Sequence, residues 1–425
     1  MKKLSLVILA AVGISASAQV SHPVQKVNPV NLILSEVADS LKVYEAFAEN
    51  SPADYRVPNA PRFAVVGKNR KFYLGIGGDV KATMSFDWGS PIRNYNEFIV
   101  SAIPMGNPEG NKGQFGLSGQ QSDFFLNFVA LPDNPNKIGV YVNAILLGNG
   151  YLPQIRSAYV KYRGIEAGYG FSLFTDLAAD PPTIDYEGPN SFTVVINAKF
   201  DYRHNFGKYF GIGVGAELPM ASYTNATHTS DVTQRIPDIP AYVQWNFGNN
   251  NRIRLSGLLR NMQYRDLATH ATKNLAGWGV QLSGNFNICD KLIGYYQATT
   301  GKGMTSYFED LTGLGLDMTP VPDNNGALQT VKAWGGYLGL QYNICDKCYC
   351  SATYSHLRNY AQKYSDSNTP WATQYKYGQY VVGNFFYNIN NLFTWGIEYI
   401  WGRRVDMNRH QAHDNRVQTM LQINF

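Results

Sequence analysis

Lys71-Phe72-Tyr73-Leu74-Gly75-Ile76-Gly77-Gly78-Asp79-Val80-Lys81-Ala82-Thr83-Met84-Ser85-Phe86-Asp87-Trp88 is the stretch on which the fold turns. Its apolar residues recur at every second position. Phe72, Leu74, Ile76, Val80, Ala82, Met84 and Phe86 share one face, while Lys71, Tyr73, Asp79, Lys81, Thr83, Ser85 and Asp87 share the other. A β-strand sends successive side chains to opposite faces, so this strand has one apolar side and one wet side. The end of the chain follows the same logic: Val417, Thr419, Leu421, Ile423 and Phe425 oppose Arg416, Gln418, Gln422 and Asn424.

Segments of this kind predict sixteen strands, at 70–88, 121–131, 137–147, 155–163, 164–173, 192–203, 206–217, 238–247, 251–263, 274–287, 290–300, 332–344, 348–358, 374–388, 391–402 and 415–425. The turns after even-numbered strands are tight and rich in Asn and Gly, as at Arg163-Gly164, Asn205-Phe206-Gly207 and Asn388-Ile389-Asn390-Asn391. Connections after odd-numbered strands are mostly longer, the largest being 89–120, 174–191, 218–237 and 301–331. An even strand count with short/long alternation puts both chain ends at the short-turn rim, which is the plan of a transmembrane β-barrel. Apolar residues facing outward are stable only in lipid, and there an open sheet edge would leave unsatisfied backbone groups, so the sheet has to close. A soluble sandwich would bury the same alternating face in a dry core; the turn rhythm and the terminal Phe425 favour the barrel.

Composition agrees. The 425 residues are 44% hydrophobic, 16% charged and 14% aromatic, with 40 glycines, which is too apolar for disorder and too rich in glycine and tyrosine for a helical bundle. After the leader, no apolar run approaches the roughly 20 residues of a spanning helix. Lys2 and Lys3, the apolar stretch Leu4–Ile14 and Ala16-Ser17-Ala18 form a signal peptide over 1–18, with cleavage after Ala18. Loss of its two lysines lowers the formal charge from +5 to +3, too weak for a nucleic-acid surface. Residues 19–69 form a separate periplasmic segment, in which Leu34, Val37, Leu41 and Tyr44 at spacings of three and four predict a short amphipathic helix, lying against the barrel or self-associating. Residues 70–425 form the barrel. With about 50 residues ahead of the first strand, no plug domain of an energy-coupled importer is expected.

A local repeat is present: Trp278-Gly279 through Asn287-Ile288-Cys289-Asp290-Lys291 recurs as Trp334-Gly335 through Asn343-Ile344-Cys345-Asp346-Lys347, with both tryptophans expected on the outer face. Of the four cysteines, Cys289, Cys345, Cys348 and Cys350, the pair Cys345 and Cys348 forms a CxxC, but no second CxxC or HxxxH completes a zinc site. One disulfide or free thiols fit the turn positions, Cys289 reaching Cys345 only if their Cα atoms approach within about 7 Å. No G-x-S-x-G elbow or ordered Ser/His/Asp set is present, and Gly75, Gly77 and Gly78 lie inside a strand rather than ahead of a helix, so neither an enzyme nor a nucleotide site nor any cofactor is expected.

The loop at 174–191 concentrates Asp176, Asp180, Asp185 and Glu187 with Pro181, Pro182 and Pro189 in a stiff acidic segment, which either folds into the lumen or stays in solvent. Lys161, Arg252, Arg254 and Arg260 alternate with apolar neighbours and therefore point into the lumen, because a lipid-facing charge near the midplane costs about 2–4 kcal/mol. Arginines facing an acidic loop would orient a dipolar or carboxylate-bearing solute; a water-filled channel lined by charge without preference is the plainer alternative.

Ile155-Arg156-Ser157-Ala158-Tyr159-Val160-Lys161-Tyr162, Gly168-Tyr169-Gly170-Phe171-Ser172-Leu173-Phe174-Thr175-Asp176, Asp185-Tyr186-Glu187-Gly188-Pro189-Asn190 and Ile76-Gly77-Gly78-Asp79-Val80-Lys81 resemble the DcaP-like porins of Gram-negative outer membranes. That resemblance implies a sixteen-stranded homotrimeric barrel, an N-terminal helical coil and passive uptake of small anionic solutes such as dicarboxylates. The expectation is thus an outer-membrane porin in contact with lipid and small solutes, the alternatives being an outer-membrane hydrolase or a surface adhesin on the same scaffold.

Overall fold

The computed structural model describes residues 6–8, 40–52, 61, 63–106, 110, 112–248, 251–322 and 327–425. Sixteen antiparallel strands close into a barrel. They are β1 (Phe72–Gly89), β2 (Asp123–Ala130), β3 (Ile138–Gly148), β4 (Leu152–Tyr162), β5 (Ile165–Phe171), β6 (Ile196–Phe206), β7 (Phe210–Glu217), β8 (Ile239–Phe247), β9 (Asn251–Asp266), β10 (Ala271–Cys289), β11 (Leu292–Lys302), β12 (Lys332–Cys345), β13 (Cys348–Asn359), β14 (Tyr375–Asn388), β15 (Phe393–Asp406) and β16 (Gln411–Asn424). Each pairs with its sequence neighbour, and β16 pairs with β1 from Asp414↔Gly89 to Asn424↔Asp79. Gly78 then exchanges two backbone hydrogen bonds with Phe425, at 3.0 and 2.9 Å. Phe63–Val66 takes over the same edge of β1 below that point, pairing with Tyr73–Ile76. The edge of the first strand is therefore covered along most of its length.

Polarity is inverted relative to a soluble protein. On β1, Val80 and Met84 are 54% and 47% exposed while Lys81 and Asp87 are 0% and 1% exposed. The same alternation runs around the barrel, with Leu338 of β12 exposed and Gln341 buried. Trp278 and Trp334 both lie on the outer face, as the repeat predicts. Such a surface is at its lowest free energy against acyl chains.

The strand ends depart from the sequence reading in a systematic way. Strands β9 and β10 continue to Arg265↔Thr272 and Asp266↔Ala271, beyond the expected ends at 263 and 274. A membrane-crossing strand needs only about 9–11 residues. Above the bilayer both faces of such a hairpin meet water, so the apolar alternation that marks a strand in sequence fades while the pairing goes on.

The helix α1 (Ser40–Asn50) corrects the expected stripe. Leu41 is exposed, and the buried face is Val43, Ala46, Phe47 and Asn50, one register over; Leu34, Val37 and the expected cleavage site after Ala18 lie outside the described residues. The face is set by where the helix sits, inside the short-turn mouth of the barrel against Tyr73 and Val129. Asn50 Nδ2 donates to Asn127 Oδ1 at 2.7 Å and to the Val140 carbonyl at 3.0 Å, and the Tyr159 hydroxyl donates to the Asn50 carbonyl at 2.9 Å. A Cβ on Gly139 would collide with the Asn50 side chain, so a bare wall position admits the helix end. An isolated helix of this length is marginal in water, and the wall supplies what it lacks.

The CxxC closes on itself: Cys345 and Cys348 are disulfide-bonded across the β12–β13 turn, with Cα atoms 5.1 Å apart. Cys289 and Cys350 are free thiols, so the alternative Cys289–Cys345 pairing is not formed.

Leu338→Arg, which places a guanidinium on the lipid face, is expected to lower folding stability by about 2–4 kcal/mol. Denaturant unfolding in lipid vesicles is the check.

Candidate functional site: a loop-crossed lumen

A sixteen-stranded wall encloses more space than its own side chains can fill. Described parts of three loops from the rim opposite the chain ends occupy it: L1 (90–122), apart from Gln114–Ser118, which pairs with Thr83–Asp87 of β1 in the wall, L3 (172–195) and L6 (303–331). L3 crosses the lumen from β5 to the far wall. Along that path Tyr337 of β12 donates to the Ala179 carbonyl at 3.0 Å, Asn384 of β14 donates to the Pro182 carbonyl at 2.8 Å, and Lys81 of β1 donates to the Ile184 carbonyl at 2.9 Å. Glu398 of β15 accepts the Ile184 and Asp185 amides at 2.8 and 2.9 Å. Pro181 lies where a side chain at Gly339 would be, a Cβ there coming within 2.9 Å of it. Of the two readings left open by sequence, the inward one holds.

L1 and L6 lock onto L3. The Phe98 amide donates to Asp185 Oδ1 at 2.8 Å, the Ser101 amide donates to Asp310 Oδ1 at 3.0 Å, and Thr193 forms a β-bridge with Phe308. Phe174, Met304, Tyr307, Phe308 and Leu311 form an apolar cluster beneath them. Arg416 clamps the root of L1: it makes a bidentate pair with Asp87, both contacts 2.7 Å, and donates to the Asn94 carbonyl at 2.7 Å.

The residues singled out from sequence divide into two groups. Asp176 Oδ1 forms an ion pair with Arg252 at 3.1 Å and lies 3.8 Å from Arg254, while its Oδ2 accepts the Ser283 hydroxyl at 2.6 Å. Arg254 also donates to the Leu173 carbonyl and stacks over Tyr242, 3.8 Å from the ring centre. Arg260 bonds Asp238 and Asp317, each at 3.0 Å, neither of which the sequence reading named. Lys161 pairs with Glu166 at 3.3 Å and donates to the Ser51 carbonyl at 2.6 Å, at the mouth that holds α1. All four basic residues are thus engaged by protein partners, and the expected opposition of arginines and acidic loop exists as a salt bridge at the root of L3.

Asp180, Asp185 and Glu187 turn the other way. They line a cavity of about 560 Å³ between L1, L3, L6 and the adjoining ends of β4 and β5, together with Glu97, Glu309, Asp310 and Arg156. Sequence reasoning missed Glu97, Glu309 and Asp310, because only the tertiary fold brings the three loops together. One signal was available: Glu309-Asp310 is an acidic pair enclosed by Phe308 and Leu311, which marks a charged segment that packs rather than floats. Arg156 is held by Asp123 at 3.4 Å and lies 5.5 Å from the ring centres of Phe171 and Tyr186. Burial pushes the loop carboxyls up: Asp180 to about 8, with the neighbouring Asp185 charge adding to the effect, and Asp310 to about 7; Glu97, Asp185, Glu187 and Glu309 also move up, chiefly through burial. At the other end, a cavity of about 430 Å³ beside α1 is lined by Lys137, Lys161, Arg163, Arg203 and Lys208 against Glu49 and Glu166.

Residues 147–421 match the family model described as Porin subfamily. The chain belongs to the porin family. This porin superposes on the outer-membrane channel DcaP of Acinetobacter baumannii with a TM-score of 0.72 at 18% identity, over 84% of this chain and 99% of that one. Against OmpT of Vibrio cholerae the TM-score is 0.54 at 10% identity, with 85% and 99% covered. The trimer form of OmpT gives 0.52 at 12% identity, with 83% and 99% covered. No curated protein matches the chain by sequence. The porin is a channel of a Gram-negative outer membrane rather than an enzyme.

Asp176→Asn keeps an acceptor for Ser283 but leaves Arg252 and Arg254 without a carboxylate. Removing one partner of a buried pair costs about 3–5 kcal/mol, so the variant should unfold at lower denaturant and show noisier single-channel current as the root of L3 loosens. Unfolding curves and open-channel noise, recorded beside the parent porin, check both.

Proposed function

We propose that the protein is a passive porin in which small hydrophilic solutes diffuse past a constriction built by L1, L3 and L6, with ion preference set by the net charge of the groups lining its two mouths. The observation that carries this reading is L3 crossing the lumen and anchored to strands on the far wall, which narrows the pore without any moving part. Assembly as a homotrimer is part of the proposal, supported by the trimer form of a porin with the same fold.

The sign of the preference follows from the charge inventory. Six carboxylates line the outer cavity against Arg156 alone, and the arginines expected to attract carboxylates are bound to Asp176, Asp238 and Asp317. This supports cation preference when the loop carboxyls are ionised. A second reading, preference for anionic carboxylate solutes as the family resemblance implies, draws support from the five basic residues at the inner mouth.

One experiment separates them: the reversal potential of purified protein in a planar bilayer under a salt gradient, followed with pH. Because the carboxyl pKa values are raised, the acidic groups are neutral below them and charged above. Cation preference is expected above about pH 8 and should fade, then turn toward anions, as pH falls through about 8 to 7, where Asp180 and Asp310 take up protons, and the inner basic residues dominate. Anion preference at every pH would establish the second reading, and silence from folded, inserted protein would end the porin proposal.

A further inference from the structure

The outer cavity holds more than a cluster of acids. Glu187 and Asp310 are 4% and 2% exposed, yet Glu187 Oε1 and Asp310 Oδ2 have no hydrogen-bond partner within the protein, and neither does Asp180 Oδ1. All three residues line the cavity. A buried polar atom left unpaired costs about 1–3 kcal/mol, more when charged, so these oxygens are acceptors awaiting a donor. The nearby cations do not supply it. Arg156 is engaged by Asp123 and two rings, Arg404 by Asp406 at 2.8 Å and the Ser101 carbonyl, and Lys81 by the Ile184 carbonyl. When these carboxyls are ionised, no protein cation neutralises them, and a cation from solution can.

Its chemistry can be narrowed. Among the described residues no three acidic, histidine or cysteine side chains are grouped closely enough to hold a metal ion. The carboxylates come from three separate loops around a space of about 560 Å³, which fits a ligand of several heavy atoms with donors at its ends. Ile99, Leu177, Phe192 and Leu314 supply apolar wall between the acids, a surface for methylene groups. We propose that this cavity is a binding subsite for organic cations that carry primary ammonium groups on a short alkyl chain, with Glu187, Glu309 and Asp310 accepting from the ammonium hydrogens. The subsite rests on the porin reading, since it lies on the proposed diffusion path and delays solutes of this class there.

Charged and titratable groups facing the cavity are Glu97 from L1, Asp180, Asp185 and Glu187 from L3, Glu309 and Asp310 from L6, and Arg156 from the wall. The raised carboxyl pKa values mean that protons compete with the cation, so binding strengthens as pH rises through about 7 to 8.

The test is block of single-channel current by 1,4-diaminobutane added to the loop side of a planar bilayer, with 1-butylamine, succinate and magnesium chloride as comparison probes. The expected result is reversible block at a midpoint about tenfold lower for the diamine than for the monoamine, equivalent to about 1.4 kcal/mol, and none by succinate. Glu187→Gln and Asp310→Asn should each raise the diamine midpoint about tenfold, with heat-resistant folded mobility on gels showing that the barrels form; Glu309→Gln serves if either fails to fold. Normal conductance with no diamine block, or block unchanged in the variants, overturns the subsite while leaving the porin reading intact. Block by magnesium at lower concentration than the diamine overturns the organic-cation assignment in favour of a metal ion. If folded, inserted protein carries no current, the porin reading fails instead, and diamine binding to the micellar protein by calorimetry then decides the subsite alone.

Discussion

Everything in this fold depends on the seam where β16 meets β1. Backbone N–H and C=O groups have no water to bond in the acyl core of a membrane, and an exposed edge there would cost several kcal/mol per group. Pairing from Gly89 down to Asp79, completed by the reciprocal bonds between Gly78 and Phe425, removes that edge. Only then can a wall turn Val80, Met84 and Phe86 outward while burying Lys81 and Asp87. Inverted polarity is a consequence of closure, and it explains why the alternating pattern of one strand was enough to indicate the architecture.

Closure creates a second problem, which is an interior too wide to pack. The chain answers it with loops, and the loops bring their own electrostatic requirement. Polar backbone inside the barrel needs donors and acceptors from the wall, and the wall residues that provide them, Lys81, Tyr337, Asn384 and Glu398, come from four different strands. L3 is thereby fixed across the lumen at many separated points rather than through a single latch. The ion pairs at Asp176 and at Arg260 serve the same end at the roots of L3, L4 (218–238) and L6. Charges that look from sequence like lining for a pore are largely fasteners for loops.

This distinction marks what the sequence could tell. The barrel, its strand count and the inward course of lumen residues followed from period-two alternation and turn chemistry, both local properties. The face of α1 did not, because Leu41 and Val43 are equally plausible apolar positions until the wall opposite is known, and the bare backbone at Gly139 that admits Asn50 is a tertiary fact. Strand ends beyond the bilayer were underread where alternation stops carrying information. Arg252, Arg254 and Arg260 were correctly turned inward, but alternation says which side a residue faces and nothing of what it meets there. Their partners lie on other elements: Asp176 on L3, Asp238 at the end of L4 and Asp317 on L6.

The charge that remains after these pairings is what a solute encounters. Six acids converge at the outer cavity from three loops, and five basic residues gather at the inner mouth around α1. At the inner mouth Lys137 pairs with Glu49 and Lys161 with Glu166, so basic groups outnumber acids there, and the paired belt of Asp176, Arg252 and Arg254 lies in another part of the lumen. A pore arranged this way carries an axial field rather than a uniform sign. Within about a Debye length, roughly 8 Å at physiological salt, each end acts on its own, so an entering ion meets two filters in series instead of their average. On the proposed reading, selectivity is set by whichever filter is ionised and narrower. On that same reading, the raised carboxyl pKa values tie the balance to the pH on the loop side of the pore.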